Sequence, residues 1–218
     1  MAALKTMKAL TGETEGPEDG PVLHLTVRSS VAELLERMDE ESREELEALN
    51  ITCVADLDCV AVEILRFTMR HRDREVYVDT LERLNRKYPA FPKTKEAALP
   101  CTLKRSAIIY LQREFERALQ TGGQELLDVC GVAATLFLRG HLAYRALQEL
   151  FDQLVGFGDV PKEHHILCAC ELYHVVYERL SQSRFGRPIV ASLIKRFRKL
   201  RKSAALSAEV KKNLLEIL

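Results

Sequence analysis

The sequence predicts an all-α protein, a HEAT-type superhelix of about five antiparallel helix pairs. Apolar residues recur at three- and four-residue spacing along most of the 218 residues, which is the pattern of amphipathic helices. Glycine and proline breaks separate these segments, and none shows the alternation typical of a strand. The helices come in pairs at roughly forty-residue spacing, the period of HEAT repeats. An irregular globular helical bundle is the alternative that these patterns leave open.

The stretch from Gln124 to Leu180 indicates three successive helices with apolar residues on several sides, which is typical of helices packed inside a protein. The first is predicted to end at Arg139-Gly140, where glycine allows a left-handed cap. The second runs from Leu142 to Val155, and so short a link predicts antiparallel neighbours. The third spans about Lys162 to Leu180. Three such helices in a row indicate a stacked helical protein.

Residues 1–28 are predicted to form a flexible N-terminal tail, because this segment contains the stretch TGETEGPEDGP, which is rich in glycine, proline and acidic residues. Residues 29–218 are predicted to form a single HEAT-like helical domain. Its first helix is expected to begin at Ser30, since Ser30 and Glu33 have the spacing of a capping box. Asp39 is expected to restart the chain as a second, mostly charged helix.

The remaining elements follow from the same periodicity. One helix begins near Asp56, and another follows the polar triplet HRD. The stretch from Tyr88 to Pro100 is predicted to be a loop, because each of its prolines biases the preceding residue away from helix. A long helix then spans about Thr102 to Gln120. After residue 180 two more helices complete the chain, and Ser207 is predicted to cap the second of them.

Composition favours a reducing compartment. The six cysteines lie mostly in apolar helical segments, where a free thiol behaves as a small hydrophobic side chain. The N-terminus lacks an apolar signal core, and no apolar run reaches the roughly 18 residues of a membrane span. We therefore expect a cytoplasmic or nuclear protein that binds no membrane and no cofactor.

Charge is distributed unevenly, although the formal net charge is zero. Residues 1–60 contain five Lys or Arg against fourteen Asp or Glu, whereas residues 181–218 contain ten against two. Eight of these C-terminal residues are predicted to form a basic face that binds a protein partner or RNA: Arg184, Arg187, Lys195, Arg198, Lys199, Lys202, Lys211 and Lys212. The competing interpretation is a solvated helix face. Phe185 and Phe197 are predicted to be structural, so no base-stacking surface is expected.

Catalytic and metal sites are not predicted. One helix carries a group of candidate metal ligands: His164, His165, Cys168, Cys170 and His174. Zinc sites usually take ligands from two segments, and no second Cys/His pair is visible. Glu171 and His174 have the Glu-x-x-His spacing of carboxylate-bridged metal bundles, which need two such motifs. The sequence also lacks a glycine-rich phosphate loop, His-Glu-x-x-His and a nucleophile elbow.

Five phrases, in this order, resemble the middle domain of the eukaryotic translation initiation factor 4G family. They are LLERMDEESREELEAL, LQREFERAL, GVAATLFLRGHLAYRALQELFDQL, KEHHILCACELYHVVYERL and LSAEVKKNLLEIL. The third is similar to the family's most recognisable segment, an apolar helix ending in a Leu-Phe pair, here Leu136-Phe137. A glycine break at Gly140 and a second helix with a Leu-rich end at Leu154 follow it. The likeness spans about Val31 to Leu218.

The sequence departs from the family pattern just before the Leu-Phe pair. The asparagine, isoleucine and Phe-Ile-Gly residues usual there are replaced by the residues from Val129 to Thr135. The chain is therefore identified as a divergent member of the family.

This resemblance implies a scaffold rather than an enzyme. Such domains bind DEAD-box RNA helicases of the initiation factor 4A type, other translation or decay factors, and in some cases RNA. The two lobes of the helicase engage opposite ends of the superhelix, so the acidic first third and the basic last fifth are expected to be those ends. A HEAT-like adaptor in transport, meiotic or cytoskeletal assemblies is the first alternative, and an enzyme is the second. Homodimerisation and the sign of any effect on translation stay open.

Overall fold

The computed structural model describes residues 21–92, 100–156 and 161–218, with side chains from residue 28 onward. Ten α-helices form the regular structure of these residues, and the one β-bridge among them pairs Phe91 with Cys101. The all-α prediction is therefore confirmed. The helices are α1 (Pro21–Arg37), α2 (Glu40–Ala48), α3 (Val54–Arg70), α4 (Arg74–Lys87), α5 (Leu103–Thr121), α6 (Gly123–Leu138), α7 (Tyr144–Val155), α8 (Glu163–Gln182), α9 (Arg187–Arg201) and α10 (Ala208–Ile217).

The first of two compact units comprises the chain up to Arg113. Within it α3 packs against both α1 and α4, and α2 also contacts these two helices. The apolar residues that the sequence places on one face of α3 are all buried, at 5% exposure or less: Leu57, Val60, Ala61, Ile64 and Phe67. Helical periodicity therefore identified the core face of this helix correctly.

The two predicted helix starts near the N-terminus have opposite outcomes. Asp39 is the N-cap of α2, and its carboxylate accepts a hydrogen bond of 2.7 Å from the Ser42 N–H, as predicted. The prediction that Ser30 begins a helix is wrong, because α1 starts at Pro21 and Ser30 lies within it. A Ser-x-x-Glu pattern caps a helix only where the preceding chain is not helical. Of the predicted tail at residues 1–28, residues 21–28 belong to α1, and residues 1–20 lie outside the described part of the chain.

The second unit begins at Glu114 and has α8 at its centre. This helix contacts α6, α7, α9 and α10, so buried residues occur around most of its circumference. They include Ile166, Ala169, Cys170, Tyr173, Val176 and Leu180. The prediction of a helix that is apolar on most sides is confirmed, because four neighbours cover it.

The turn after α6 also agrees with the sequence. Gly140 has a φ angle of 78°, a conformation that residues with a side chain rarely adopt. The His141 N–H then donates to the Leu136 carbonyl at 2.8 Å, which satisfies a carbonyl in the last turn of α6. α7 begins shortly afterwards at Tyr144.

All six cysteines are free thiols, and four of them are buried: Cys101, Cys130, Cys168 and Cys170. A hydrogen bond to Cys168, together with burial, raises the pKa of Cys130. Burial raises the pKa of Cys170 to about 12. Cys130 and Cys170 are therefore neutral at physiological pH, and all four buried thiols pack as small hydrophobic groups, as the sequence predicts.

Candidate functional site

α9 has an apolar side and a basic side. Its apolar residues are buried at 5% exposure or less: Ile189, Leu193, Phe197 and Leu200. Lys195, Arg198 and Lys199 are exposed, as is Lys202 directly after the helix. Their three- and four-residue spacing places them along one side of the helix. No acidic residue occurs between Arg187 and Lys202, and apart from Arg187 the cations lie in the C-terminal half of the helix, because residues 188–194 are uncharged.

The other four predicted basic residues lie in the α8–α9 turn, at the start of α9 and in α10. Arg184 and Arg187 are exposed, and Arg187 Nε donates to the Ser181 carbonyl at 3.2 Å. Lys211 is half-buried, whereas Lys212 is exposed with its Nζ 3.9 Å from a Glu216 carboxylate oxygen. An exposed pair at this distance contributes little to stability. Seven of the eight predicted side chains therefore lie at the surface of the second unit.

Two arginines of α9 fall outside the predicted basic face, and they have different roles. Arg201 is exposed and lies three residues after Arg198, so helical spacing alone could have included it. Arg196 is buried at 5% exposure, and its Nε donates to the Val155 carbonyl at 2.8 Å. A cation at the last carbonyl of α7 is favourable for that helix end, although burial lowers the pKa of Arg196.

The prediction that Phe185 is structural is wrong. Its side chain is 59% exposed, whereas Phe197 is fully buried as expected. Phe185 lies in the turn between α8 and α9, where no helical face directs it inward. The Arg184 guanidinium lies over its ring, with the Arg184 Cζ 4.6 Å from the ring centroid. The basic segment therefore does contain an exposed aromatic residue.

The candidate metal ligands of α8, except His174, are buried or half-buried side chains that pack within the second unit. His165 contacts the Leu119 carbonyl through Nε2 at 3.0 Å, and the His164 ring lies against His165 with centroids 4.4 Å apart. Burial lowers the pKa of His165, although this hydrogen bond opposes the effect. His174 is exposed. Across residues 28–92, 100–156 and 161–218, no group of three or more His, Cys, Asp or Glu side chains is placed to hold a metal ion.

The first unit has a surface groove of mixed chemistry between α1 and α2. It is lined by Ser30, Glu33, Leu34, Arg37, Glu45, Ala48 and Leu49. Arg37 Nη2 lies 2.9 Å from Glu45 Oε1, so this ion pair neutralises part of the lining. The groove offers an acidic, partly apolar surface, in contrast to the basic α9.

None of the described helices is both long enough and apolar enough to span a bilayer.

Comparison with known proteins identifies the fold. No protein-family model and no curated protein sequence matches the chain. Among solved structures, the chain is similar to the MIF4G domain of Trypanosoma cruzi translation initiation factor EIF4G5, with a TM-score of 0.57 and 15% sequence identity. The match covers 88% of this chain and 93% of that domain. The likeness confirms the predicted HEAT-type class, and at this identity it concerns the fold alone.

Proposed function

We propose that this chain is a divergent member of the initiation factor 4G middle-domain family. In this role it is a non-enzymatic helical adaptor in translation or mRNA metabolism. One observation carries the proposal: 93% of a solved translation-factor domain has a counterpart here, over 88% of the chain. The five phrases that resemble the same family, in the same order, support it independently.

The partner that fits best is a protein with an acidic surface, such as a DEAD-box RNA helicase or a translation initiation factor. Lys195, Arg198 and Lys199 are exposed, and no salt bridge engages them among the described residues. Such cations are available to pair with carboxylates of a partner, and RNA phosphates are the other anion that they suit. Complementary charge of this kind raises the association rate and fixes orientation more than it raises affinity. We place this interaction in the cytoplasm or nucleus.

The first test is affinity purification of the tagged chain from cell lysate, with and without nuclease, followed by mass spectrometry. A helicase or translation factor that is retained after nuclease would support direct protein docking. Loss of every RNA-related protein on nuclease treatment would instead indicate attachment through RNA. Enrichment of transport, meiotic or cytoskeletal proteins in both samples would favour a HEAT-like scaffold outside translation.

The second test uses the purified partner and a triple variant, Lys195→Glu, Arg198→Glu and Lys199→Glu. We expect the dissociation constant to rise by about tenfold or more, because the variant replaces attraction by repulsion at three positions. The melting temperature should change by only a few degrees, since all three side chains are exposed. Isothermal titration calorimetry and circular dichroism measure the two quantities.

A charge-matched control separates this face from net charge. Arg70, Arg72 and Arg113 are also exposed, and their replacement by Glu changes the net charge by the same amount. We expect the control to bind the partner with an affinity close to that of the wild type. Equal weakening by both variants, or by neither, would remove the basic face from the mechanism.

A further inference from the structure

A cluster of arginine and aromatic side chains lies where the α6–α7 turn meets the α8–α9 turn. We name it the arginine–aromatic surface, and it comprises Leu138, Tyr144, Arg179, Arg184, Phe185 and Arg187. The aromatic residues are in contact: the ring centroids of Tyr144 and Phe185 are 6.0 Å apart, and Tyr144 packs edge-on against Phe137 at 5.1 Å. All of these residues belong to the second compact unit.

The arginines of this surface are ordered by contacts that leave positive charge available. The Arg179 Cζ lies 5.3 Å from the centroid of the Phe137 ring, and its Nη1 donates to the Leu138 carbonyl. Arg184 lies over Phe185, and Arg187 uses only its Nε, toward Ser181. Among the described residues none of these three guanidinium groups forms a salt bridge. The nearby exposed Glu178 is instead a hydrogen-bond partner of Gln182, at 3.2 Å.

Exposed apolar side chains lie within the same surface. Phe185 is 59% exposed and Leu138 is 38% exposed. A half-exposed ring whose neighbour is a stacked guanidinium offers two flat surfaces for a planar ligand. Nucleic-acid bases stack on aromatic rings and on arginine planes in this way, and the arginine fork suits phosphate oxygens.

The basic side of α9 continues from this surface. At about 1.5 Å per residue, Lys195 lies about 12 Å and Lys202 about 22 Å along the helix from Arg187. The exposed cations clustered from Lys195 to Lys202, with no intervening acid, can pair with successive phosphates of an extended strand. Stacking groups at one end of a cationic track are the combination that single-stranded nucleic-acid sites use.

We propose that the arginine–aromatic surface binds single-stranded RNA, with a base stacked on Phe185 and Arg184 and the following phosphates along α9. The stacking and phosphate chemistry is independent of the proposed adaptor function, whereas the choice of RNA over DNA rests on it. The site predicted from sequence lacked a stacking group, whereas the arginine–aromatic surface supplies one, which sets the orientation of the ligand and its specificity for unpaired bases.

The test is fluorescence anisotropy with the purified full chain and a labelled adenine-rich 12-mer RNA, in the absence of any partner protein. We expect Phe185→Ala to weaken binding by about 5- to 100-fold, the range found for loss of one base–aromatic stack. A base-free sugar–phosphate oligomer of the same length should bind the wild type and Phe185→Ala with equal affinity, because it retains the phosphates but has no base to stack. Tyr177→Ala is the matched control, since Tyr177 is 46% exposed but lies outside the surface.

Two further variants test the stacking and phosphate contributions separately. Phe185→Trp should bind the RNA about as tightly as the wild type, because its ring can also stack on a base. The triple variant Lys195→Glu, Arg198→Glu and Lys199→Glu should bind both the RNA and the base-free oligomer more weakly. It should also reduce the slope of log affinity against log salt concentration by about 2. Failure of the wild type to bind the RNA, or equal binding by Phe185→Ala, would overturn the proposal. So would equal affinity for double-stranded RNA, or tighter binding of single-stranded DNA of the same sequence. If Phe185→Ala weakens only an acidic protein partner, the surface is a protein contact, and the adaptor function stands without the RNA site.

Discussion

Gly186, between α8 and α9, illustrates how one residue positions the basic surface. A Cβ atom added there would lie 2.6 Å from Leu180 Cα and 2.7 Å from the Leu180 carbonyl carbon, and nearer still to its oxygen. Those atoms are backbone, so the chain itself must move to relieve the overlap. We expect Gly186→Ala to lower the free energy of unfolding by about 3 kcal/mol, the upper part of the range for overpacking. Urea denaturation followed by circular dichroism measures the change.

Gly123 provides the control for this variant. It has a φ angle of 68°, but a Cβ added there would meet no atom within 4 Å. Gly123→Ala should therefore lower the free energy of unfolding by only about 1 to 2 kcal/mol, through backbone conformation alone. If the two variants are equally stable, contact with the Leu180 backbone is not what requires glycine at position 186.

For individual residues, the candidate site was predictable from the sequence only where helical periodicity applies. Lys195, Arg198 and Lys199 fall on the exposed side of α9 because spacing fixes the face of a helical residue. Phe185 could not be placed in this way, since it lies in a turn, and apolar character alone suggested burial. Arg196 shows the same limit, because its burial depends on a carbonyl of α7 that is distant in sequence.

The N-terminus of α3 is stabilised by hydrogen bonds to the carboxylate of Asp56. The Asp56 carboxylate accepts three hydrogen bonds, from the N–H and Oγ1 of Thr52 at 2.9 Å each and from the Cys53 N–H at 3.2 Å. Burial favours the neutral acid, but these bonds outweigh it, and the pKa of Asp56 is lowered. The carboxylate therefore stabilises the folded chain fully above its unfolded pKa of about 3.9 and loses this effect as pH falls through the folded pKa.

We expect Asp56→Asn to lower the free energy of unfolding by about 1 to 2 kcal/mol at pH 7. Between pH 5 and pH 3 the wild type should lose part of its advantage over the variant, because its carboxylate becomes protonated. Urea denaturation at several pH values gives both quantities. Asp58→Asn is the control, since Asp58 lies in the same helix but is exposed. A constant stability difference from pH 7 to pH 3 would contradict this role of Asp56.

The elements themselves were largely predictable, because amphipathic periodicity and glycine stops are local signals. α6 matches its predicted limits within a few residues, and Ser207 caps α10 by accepting a hydrogen bond from the Val210 N–H. α1 was placed too late because the Ser30–Glu33 spacing fits a helix interior as well as a helix start. α1 also packs against α3, and local sequence patterns do not reveal this contact.

Across the whole molecule, acidic and basic residues are concentrated in different parts of the chain. Glu36, Glu41 and Glu44 are exposed in the first unit, whereas Lys195, Arg198 and Lys199 are exposed in the second. A partner with two oppositely charged regions would be oriented by both segments, and the charge pattern would act before contact is made. A partner that meets only the basic face would instead be repelled by the acidic segment.

These two cases predict opposite effects of one variant on the partner that affinity purification identifies. Under the adaptor function with two docking segments, Glu36→Lys, Glu41→Lys and Glu44→Lys together should slow association by about tenfold at low salt, with a smaller effect on dissociation. Raising the ionic strength should shrink the difference, because exposed charges are screened. Stopped-flow fluorescence measures both rates. The corresponding Gln variant should lie between the wild type and the Lys variant, since it removes charge without reversing it. Faster association of the Lys variant would show that only the basic face docks the partner.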